Sequence, residues 1–232
     1  MKLVVLTGAG ISAESGLSTF RGNGGLWNDE PIEDVATPEG YRRDKMRVKR
    51  FYNSLRTSLP TYLPNAAHKA LAKIEEELGD EFLLITQNVD DLHERAGSKR
   101  VLHMHGELKK LRCEANENHV FPFDGEETLE TKCPVCGSPS RPHIVWFGEV
   151  PLYMDKIEKA LRDTDEFVYI GTSSVVYPAA GFKQFAKRFG AHVTCLNLEI
   201  DPSDPNTDTS IAGLATRTVP EWCENFLKDL RK

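Results

Sequence analysis

Three groups of residues in this chain have the types and spacing of ligand-binding or reactive sites. The first is Gly8-Ala9-Gly10-Ile11-Ser12-Ala13, directly after the apolar run Leu3-Val4-Val5-Leu6. Glycine at two points permits a tight turn and lets a pyrophosphate approach the main chain. A buried strand followed by such a turn and a small-residue run predicts a dinucleotide site, the plain alternative being a strand-to-helix turn without a ligand. The second group is Gln87-Asn88-Val89-Asp90, after the apolar run Phe82–Ile85, with His105-Gly106 further on. Polar groups at the carboxyl end of a parallel strand lie where open α/β sheets bind ligands, although Asn88 or Asp90 would serve equally as helix caps. Histidine titrates near neutrality and suits general-base chemistry. A hydrogen-bonded structural histidine is the alternative, and Gly106 leaves the backbone beside His105 open to a ligand. The third group is Cys113 with Cys133-Pro134-Val135-Cys136-Gly137. Cys-x-x-Cys-Gly is a good zinc knuckle. The other knuckle is incomplete, since no cysteine follows Cys113 within four positions, and His119 is the candidate fourth donor.

These groups need elements to position them. Apolar runs at Leu3–Leu6, Phe82–Ile85, Phe167–Ile170 and Val193–Leu198 read as buried parallel strands. Val101–Gly106 reads as an extended segment with His103 and His105 on one side. Two strand ends carry further small or polar residues, Gly171-Thr172-Ser173-Ser174 and Asn197-Leu198-Glu199. Thr37-Pro38 predicts one helix start and Pro64-Asn65 another, the second with Ala67, Leu71, Ile74 and Leu78 on one face and Gly79 at its end. Helices are also expected around Met154–Leu161 and Ala179–Phe189. Thr216–Val219 reads as a short last strand, with Pro220 opening a final helix. Three glycines within Phe20–Trp27 predict a mobile loop anchored by Leu26-Trp27. Strands alternating with helices give an α/β fold, a doubly wound parallel sheet of the Rossmann-like kind. Insertions near 31–63 and 111–141 would form a smaller helical and zinc-binding domain, leaving 1–30, 64–110 and 142–232 to the dinucleotide-binding domain.

Bulk properties narrow the function. The chain has 232 residues, 29 basic against 35 acidic, and a net charge of −6. That balance, with no long basic cluster, argues against a nucleic-acid partner. No segment approaches the roughly 20 apolar residues of a membrane span, and the apolar run after Lys2 is too short for a signal peptide. A cytoplasmic, soluble protein is expected. The five cysteines then point to metal or free thiols rather than disulfides, with Cys195 and Cys223 as core fillers.

Taken together, Gly8-Ala9-Gly10-Ile11-Ser12, Thr19-Phe20-Arg21, Gln87-Asn88-Val89-Asp90, His105-Gly106, Phe147-Gly148-Glu149, Gly171-Thr172-Ser173 and Asn197-Leu198-Glu199 resemble the sirtuins, NAD-dependent protein-lysine deacylases. The match runs in order through almost the whole chain. Ala36-Thr37-Pro38 and Phe51-Tyr52 further resemble the bacterial and mitochondrial class III subgroup, which includes desuccinylases. The resemblance implies that the segment from Gly8, Ala9, Gly10, Ser12 and Ala13 through Thr19, Phe20, Arg21 and Trp27 holds the pyrophosphate and covers the nicotinamide. It implies that Gln87, Asn88 and Asp90 line the nicotinamide pocket, and that Gly171, Thr172, Ser173, Asn197, Leu198, Glu199 and Ala215 hold the adenosine end. Trp146, Phe147, Gly148, Glu149 and the stretch from Val175 to Tyr177 would pair with the substrate backbone as an added strand. Ala36, Tyr52, Leu55 and Arg56 would face the acyl group. His105 would act as general base, drawing a proton from a ribose hydroxyl after the acyl-amide oxygen has attacked the ribose carbon. The products would be nicotinamide, free lysine and 2′-O-acyl-ADP-ribose. NAD is the implied co-substrate, one structural zinc on Cys113, Cys133, Cys136 and His119 the implied metal, and acylated-lysine proteins or peptides the implied partners.

Class III members that remove acidic acyl groups carry Tyr-x-x-Arg. Here Tyr52 is followed at that place by Leu55, and the arginine is Arg56. One helical step turns a side chain by about 100°. Removal of acetyl or other neutral acyl groups is therefore expected to dominate over desuccinylation or demalonylation, in a pocket kept roomy by Ala36. Three rivals share parts of the pattern. A Rossmann oxidoreductase should show a second strand ending in a ribose-binding acid soon after the first helix, and this sequence has no strand pattern there. A mono-ADP-ribosyltransferase would use the same ribose carbon. A non-catalytic ADP-ribose or acyl-lysine reader would make little use of Asn88, Asp90 and His105 together.

Overall fold

The computed structural model describes residues 1–17, 30–173 and 175–231. The expected Phe20–Trp27 loop and Ser174 lie outside them. In chain order the elements are β1 (Leu3–Thr7), α1 (Gly10–Ala13), α2 (Ile32–Val35), α3 (Pro38–Arg43), α4 (Lys45–Ser58), α5 (Ala66–Leu78), β2 (Phe82–Thr86), α6 (Leu92–Ala96), β3 (Val101–His103), β4 (Gly106–Cys113), β5 (Val120–Pro122), β6 (Ser140–Ile144), α7 (Met154–Asp163), β7 (Glu166–Ile170), α8 (Phe182–Arg188), β8 (His192–Asn197), β9 (Thr209–Ala212) and α9 (Ala215–Leu230).

Six strands form a sheet in the order β3-β2-β1-β7-β8-β9, and every neighbouring pair is parallel. The chain reverses its direction of travel across the sheet at β1, so β1 and β7 flank the switch point where such sheets bind ligands. Both faces are buried because the strand residues alternate between two cores. Val4, Leu6, Phe167 and Val193 pack with Ile157, Leu161 and Phe182 of α7 and α8. Leu3, Val5, Val168 and Leu196 pack with Leu71 and Ile74 of α5 and Val219 of α9. A third core joins α2, α3 and α4 to Leu108, Ile144 and Trp146. A separate antiparallel sheet, β5-β4-β6, carries the cysteine region. β4 runs across residue 110 and β6 across residue 141, so this sheet continues directly from the His105-Gly106 turn.

Local signals explain the helix starts. Thr37 Oγ1 accepts from the Gly40 N–H at 2.9 Å, with Pro38 in the first turn. Asn65 Oδ1 accepts from the Ala67 N–H, while the Asn65 N–H donates to His68 Nδ1 at 3.3 Å, a reciprocal cap.

Two expectations require correction. Thr216–Val219 is not a strand but the first turns of α9, and Pro220 lies inside that helix. The last strand is Thr209–Ala212, paired with β8. Glu14 holds the start of α9 from outside, accepting from the Thr216 N–H and hydroxyl at 2.9 and 2.6 Å. This tertiary contact overrides the β-propensity of the threonines and valine. Val101–Gly106 is likewise not one extended segment. β3 ends at His103, and Met104-His105 form a turn, so the two histidines reach different surroundings.

Gly106 makes that turn possible. Its φ is +86°, and a Cβ there would overlap the His143 carbonyl oxygen. Gly190 shares the positive φ, at +97°, but a Cβ there meets nothing within 4 Å. Strain at a positive φ costs roughly 1–3 kcal/mol, and Gly106→Ala adds a steric clash. Gly106→Ala is therefore expected to lower Tm well beyond Gly190→Ala, by about 4–8 °C for each 2 kcal/mol of extra loss. Equal losses in thermal unfolding would show that the Gly106 contact is not tight.

Candidate functional site

A cavity of about 640 Å³ opens at the switch point. Its floor is the Gly8-Ala9-Gly10 turn after β1 and the Gly171 turn after β7. The two turns touch backbone to backbone, with the Gly10 N–H donating to the Gly171 carbonyl at 2.8 Å. A Cβ on Gly8 would sit 2.8 Å from that carbonyl oxygen, so a side chain there would wedge the turns apart. Gln87 and Asn88 approach from the end of β2, and Ser173, Asn197, Leu198 and Glu199 from the ends of β7 and β8. Gln87 Nε2 donates to Thr172 Oγ1, and Asn197 Nδ2 to the Thr172 carbonyl, both at 2.9 Å.

His105 lies on the cavity wall. Its Nδ1 is 3.1 Å from the Gln87 carbonyl oxygen. A carbonyl only accepts, so Nδ1 carries the hydrogen and Nε2 keeps its lone pair. Burial lowers the pKa of His105, with the Gln87 carbonyl acting in the opposite sense. The ring is thus a neutral base with its basic nitrogen specified. His103 is held differently, Nδ1 on the Asn88 carbonyl at 3.0 Å and Nε2 on Glu94 at 2.8 Å. Burial works against charge on His103, but Glu94 outweighs it and raises the pKa.

Beneath the cavity lies a buried polar network. His68 Nδ1 is occupied by the Asn65 N–H, so its Nε2–H donates to Ser12 Oγ at 3.3 Å. Asn88 Nδ2 also donates to Ser12 Oγ, at 3.2 Å, and the Ser12 hydroxyl donates to Asp90 Oδ2 at 3.1 Å. Burial pushes His68 down to about 4, and burial raises Asp90 against the opposing Leu92 N–H and Ser12 hydroxyl. Asn88 Oδ1 is buried without a protein partner. A buried acceptor left unmade is costly unless a ligand supplies the donor. Ser12, Asn88 and Asp90 also line a second cavity of about 30 Å³.

In the antiparallel sheet, donor atoms of Cys113, His119, Cys133 and Cys136 all lie within 4.8 Å of one another. Cys113 Sγ is 3.5 Å from Cys136 Sγ, and Cys133 Sγ is 3.7 Å from His119 Nδ1. A tetrahedral zinc with Zn–S near 2.3 Å sets donor separations of about 3.6–3.8 Å. Three thiols, one imidazole and this spacing fit a structural zinc, and His119 completes the knuckle that the cysteines leave open.

The Sir2 family model matches residues 8–178. The NAD-dependent protein deacylase of Yersinia pseudotuberculosis serotype I is 56% identical over 229 residues, 97% of this chain and 82% of the relative. The chain belongs to the Sir2 family. The NAD-dependent protein deacylase of Escherichia coli K12 is 53% identical over 234 residues, covering 99% of this chain and 84% of its own length. Among solved structures, a mutant Sir2 homologue in complex with ADP-ribose aligns with a TM-score of 0.89 at 39% identity, covering 99% of this chain and 93% of that one. A Sir2 homologue–NAD complex aligns at 0.87 and 40%, covering 99% and 90%.

As a member of the Sir2 family, the chain brings most of its sequence-predicted site residues to one cavity. Gly8, Ala9, Gly10, Ala13, Gln87, Asn88, His105, Gly171, Thr172, Ser173, Asn197, Leu198, Glu199 and Ala215 line it, as do Ala36, Tyr52, Leu55 and the stretch Trp146–Glu149. Ser12 and Asp90 line the smaller cavity instead. Thr19, Phe20, Arg21 and Trp27 lie outside the described residues. Val175 is exposed and off the wall, while its neighbours Val176 and Tyr177 are on it. Arg56 is corrected outright as an acyl-facing residue. Its Nε donates to the Leu108 carbonyl and its Nη1 to Asn53 Oδ1, both at 2.7 Å, and its guanidinium stacks on Phe123. Without substrate the Trp146–Glu149 stretch is a turn, closed by the Glu149 N–H on the Trp146 carbonyl at 3.0 Å. Glu14, Ile32 and Gly213-Leu214 also line the cavity and escaped the sequence reading. Of these, only Glu14, the lone acid of its small-residue run, carried a local signal.

Elemental analysis of chelator-washed protein is expected to show one zinc per chain. Cys133→Ser should lose it and unfold at lower temperature, because the small sheet depends on the metal. Zinc-free wild-type protein of unchanged stability would refute the assignment.

Proposed function

We propose that this chain is an NAD-dependent protein-lysine deacylase of the sirtuin type, acting on acylated-lysine proteins or peptides. The observation that carries this reading is a neutral His105 on the same wall as Asn88, above the paired glycine turns. A neutral base beside the dinucleotide suits removal of a proton from a ribose hydroxyl.

The residues present fit NAD. The Gly8-Ala9-Gly10 turn lines the cavity where a pyrophosphate would lie, and Asn88 Oδ1 awaits a donor such as a ribose hydroxyl. Ser173, Asn197, Glu199 and Ala215 are the proposed adenosine contacts, and Asp90 with Asn88 the nicotinamide contacts. Bound NAD would supply an electrophilic ribose carbon with nicotinamide as leaving group. The work of this chain is to accept a ribose proton at His105 Nε2, to hold that ring through Gln87, and to fix Asn88 through Ser12 and His103. Exposed Phe147 and Tyr177 flank the cavity mouth and would bracket the peptide backbone, placing the acyl-lysine against Ala36, Tyr52 and Leu55. Zinc takes no part in proton transfer in this scheme, since its donors belong to the separate sheet. We infer the division of labour expected from the sequence, with 1–30, 64–110 and 142–232 binding the dinucleotide, and 31–63 and 111–141 forming the smaller unit.

Mass spectrometry of an acetyl-lysine peptide should show deacetylation that requires NAD and yields acetyl-ADP-ribose. His105→Ala should lower the rate by about 10²–10⁴-fold. Modified protein carrying ADP-ribose, with no deacetylation, would indicate a transferase instead.

A pH profile tests the state of His105. The base works unprotonated, and its folded pKa lies below the ordinary 6.5. Activity should therefore persist as pH falls through 6.5 and decline only below it. A decline centred above 6.5 would mean that His105 is not the limiting base.

A further inference from the structure

Helix α9 starts without help from its own neighbours in sequence. Among the described residues, Leu214 at its cap makes no side-chain hydrogen bond and the first turn holds no acid. The cap comes instead from Glu14. Its two carboxylate oxygens accept the Thr216 N–H at 2.9 Å and the Thr216 hydroxyl at 2.6 Å. A carboxylate there answers both the orphan N–H groups and the positive end of the helix dipole.

The lip Gly213-Leu214-Ala215 leads into this cap and lines the main cavity, together with Glu14 and Asn197. On one side the Gly213 N–H donates to the Asn197 carbonyl at 2.9 Å. On the other, Glu14 holds the helix that the lip feeds. Thr218 closes the lip from within, its N–H and hydroxyl donating to the Leu214 carbonyl at 3.0 and 3.2 Å. Glu14 is itself firmly placed. It follows directly on α1, which Asn65 Nδ2 pins through the Ile11 carbonyl at 2.8 Å and Ser15 Oγ at 3.0 Å. One carboxylate thus ties the element after the glycine turn to the lip that carries Ala215, a proposed adenosine contact.

We propose that Glu14 is a positioning residue for the dinucleotide, fixing the Gly213–Ala215 lip before NAD arrives and so setting affinity for the adenosine half. The proposal rests on the NAD-binding part of the reading above. Both carboxylate oxygens are engaged by Thr216, so Glu14 acts through the lip rather than by gripping the ligand. A lip left uncapped frays in the empty protein, and its ordering then opposes binding. Loss of a helix cap is worth about 2- to 30-fold.

The test measures the Kd of ADP-ribose by titration calorimetry for wild type, Glu14→Ala, Glu14→Gln, Thr216→Val and the Glu14→Ala/Thr216→Val double variant. Tm and the KM values for NAD and for an acetyl-lysine peptide are measured beside it. Thr216 does not line the cavity, so Thr216→Val reaches the ligand only through Glu14. Glu14→Ala should weaken ADP-ribose and raise the KM for NAD by about 3- to 30-fold, while the KM for the peptide moves by less than about twofold. Glu14→Gln, which keeps an acceptor for one Thr216 donor, should lie between Glu14→Ala and wild type. Thr216→Val should weaken ADP-ribose at least about twofold alone and add nothing to Glu14→Ala. These two milder variants carry the test if Glu14→Ala does not fold. A lower Tm with unchanged ADP-ribose affinity would overturn the proposal, leaving Glu14 a structural cap. A large loss in Glu14→Ala with none in Thr216→Val would also overturn it, since Glu14 would then touch the ligand directly. Wild-type protein that binds no ADP-ribose would overturn both this proposal and the NAD-binding reading. The expected affinities in protein that removes no acetyl group would overturn the deacylase reading and leave this proposal standing.

Discussion

The structure depends on one contact, the meeting of two strand ends at Gly10 and Gly171. β1 and β7 run side by side, and their continuations would diverge around any side chain placed between them. Instead the Gly8 N–H extends the ladder to the Ile170 carbonyl at 2.9 Å, and the Gly10 N–H closes on the Gly171 carbonyl. Gly171 has a φ of +60° and no room for a Cβ beside Gly10. Thr172 then becomes a hub for Gln87 and Asn197, so four strand ends share one rigid floor. A cavity of this kind is fixed before any ligand arrives, which spares binding the ordering of loops that would otherwise oppose it.

Rigidity above the floor comes from polar groups buried where polar groups are costly. Thr7 donates to Thr86 at 2.9 Å, so the Nε2–H of His93, 3.0 Å away, must donate to Thr7. The Asn88 N–H closes this chain on Thr86 Oγ1 at 3.1 Å. Beside it runs the Ser12–His68–Asp90 network, with the His68 and His93 rings 4.9 Å apart. Burial holds His93 well below its ordinary pKa, and any charge on the neighbouring His68 or His103 ring acts in the same direction. Neutral histidines thus form the inner layer, and the raised pKa of His103 belongs to the ring that meets Glu94. Networks this nearly satisfied specify one arrangement. Two of their buried atoms lack a protein partner, His93 Nδ1 and Asn88 Oδ1, and Asn88 borders both cavities.

The sequence was legible where a residue type answers to a local rule. Glycine at 8, 10, 106 and 171, proline at 38 and asparagine at 65 each announce a backbone geometry, and the buried strands announce themselves by composition. It was less legible where position depends on a partner distant in the chain. Nothing within Thr209–Ala212 marks an edge strand, and nothing near Thr216 reveals the distant Glu14 carboxylate that starts α9. His119 and the three cysteines could be grouped by chemistry, but only the fold shows them meeting. Leu55 and Arg56 are neighbours in sequence and opposites in space, because one helical step carries Arg56 from the cavity to the metal-binding sheet.

That last separation ties the metal-binding sheet to one wall of the main cavity. α4 presents Tyr52 and Leu55 to the cavity on one face. On its other face Lys49 Nζ meets Glu127 Oε1 at 2.5 Å and the Ser140 carbonyl at 2.6 Å, all buried. Asn53 brackets Glu127 through both its N–H and its carbonyl, at 3.0 and 2.9 Å. Glu127 and Ser140 lie on the segment that the cysteines fold. Breaking a buried ion pair by removing one partner costs about 3–5 kcal/mol, far more than a surface contact, so α4 cannot move independently of that segment. Trp146 completes the clamp, donating to Tyr52 while Arg141 of β6 lies 3.4 Å above its ring. This wall of the cavity is therefore the inner surface of a helix pinned from behind by the metal-binding sheet.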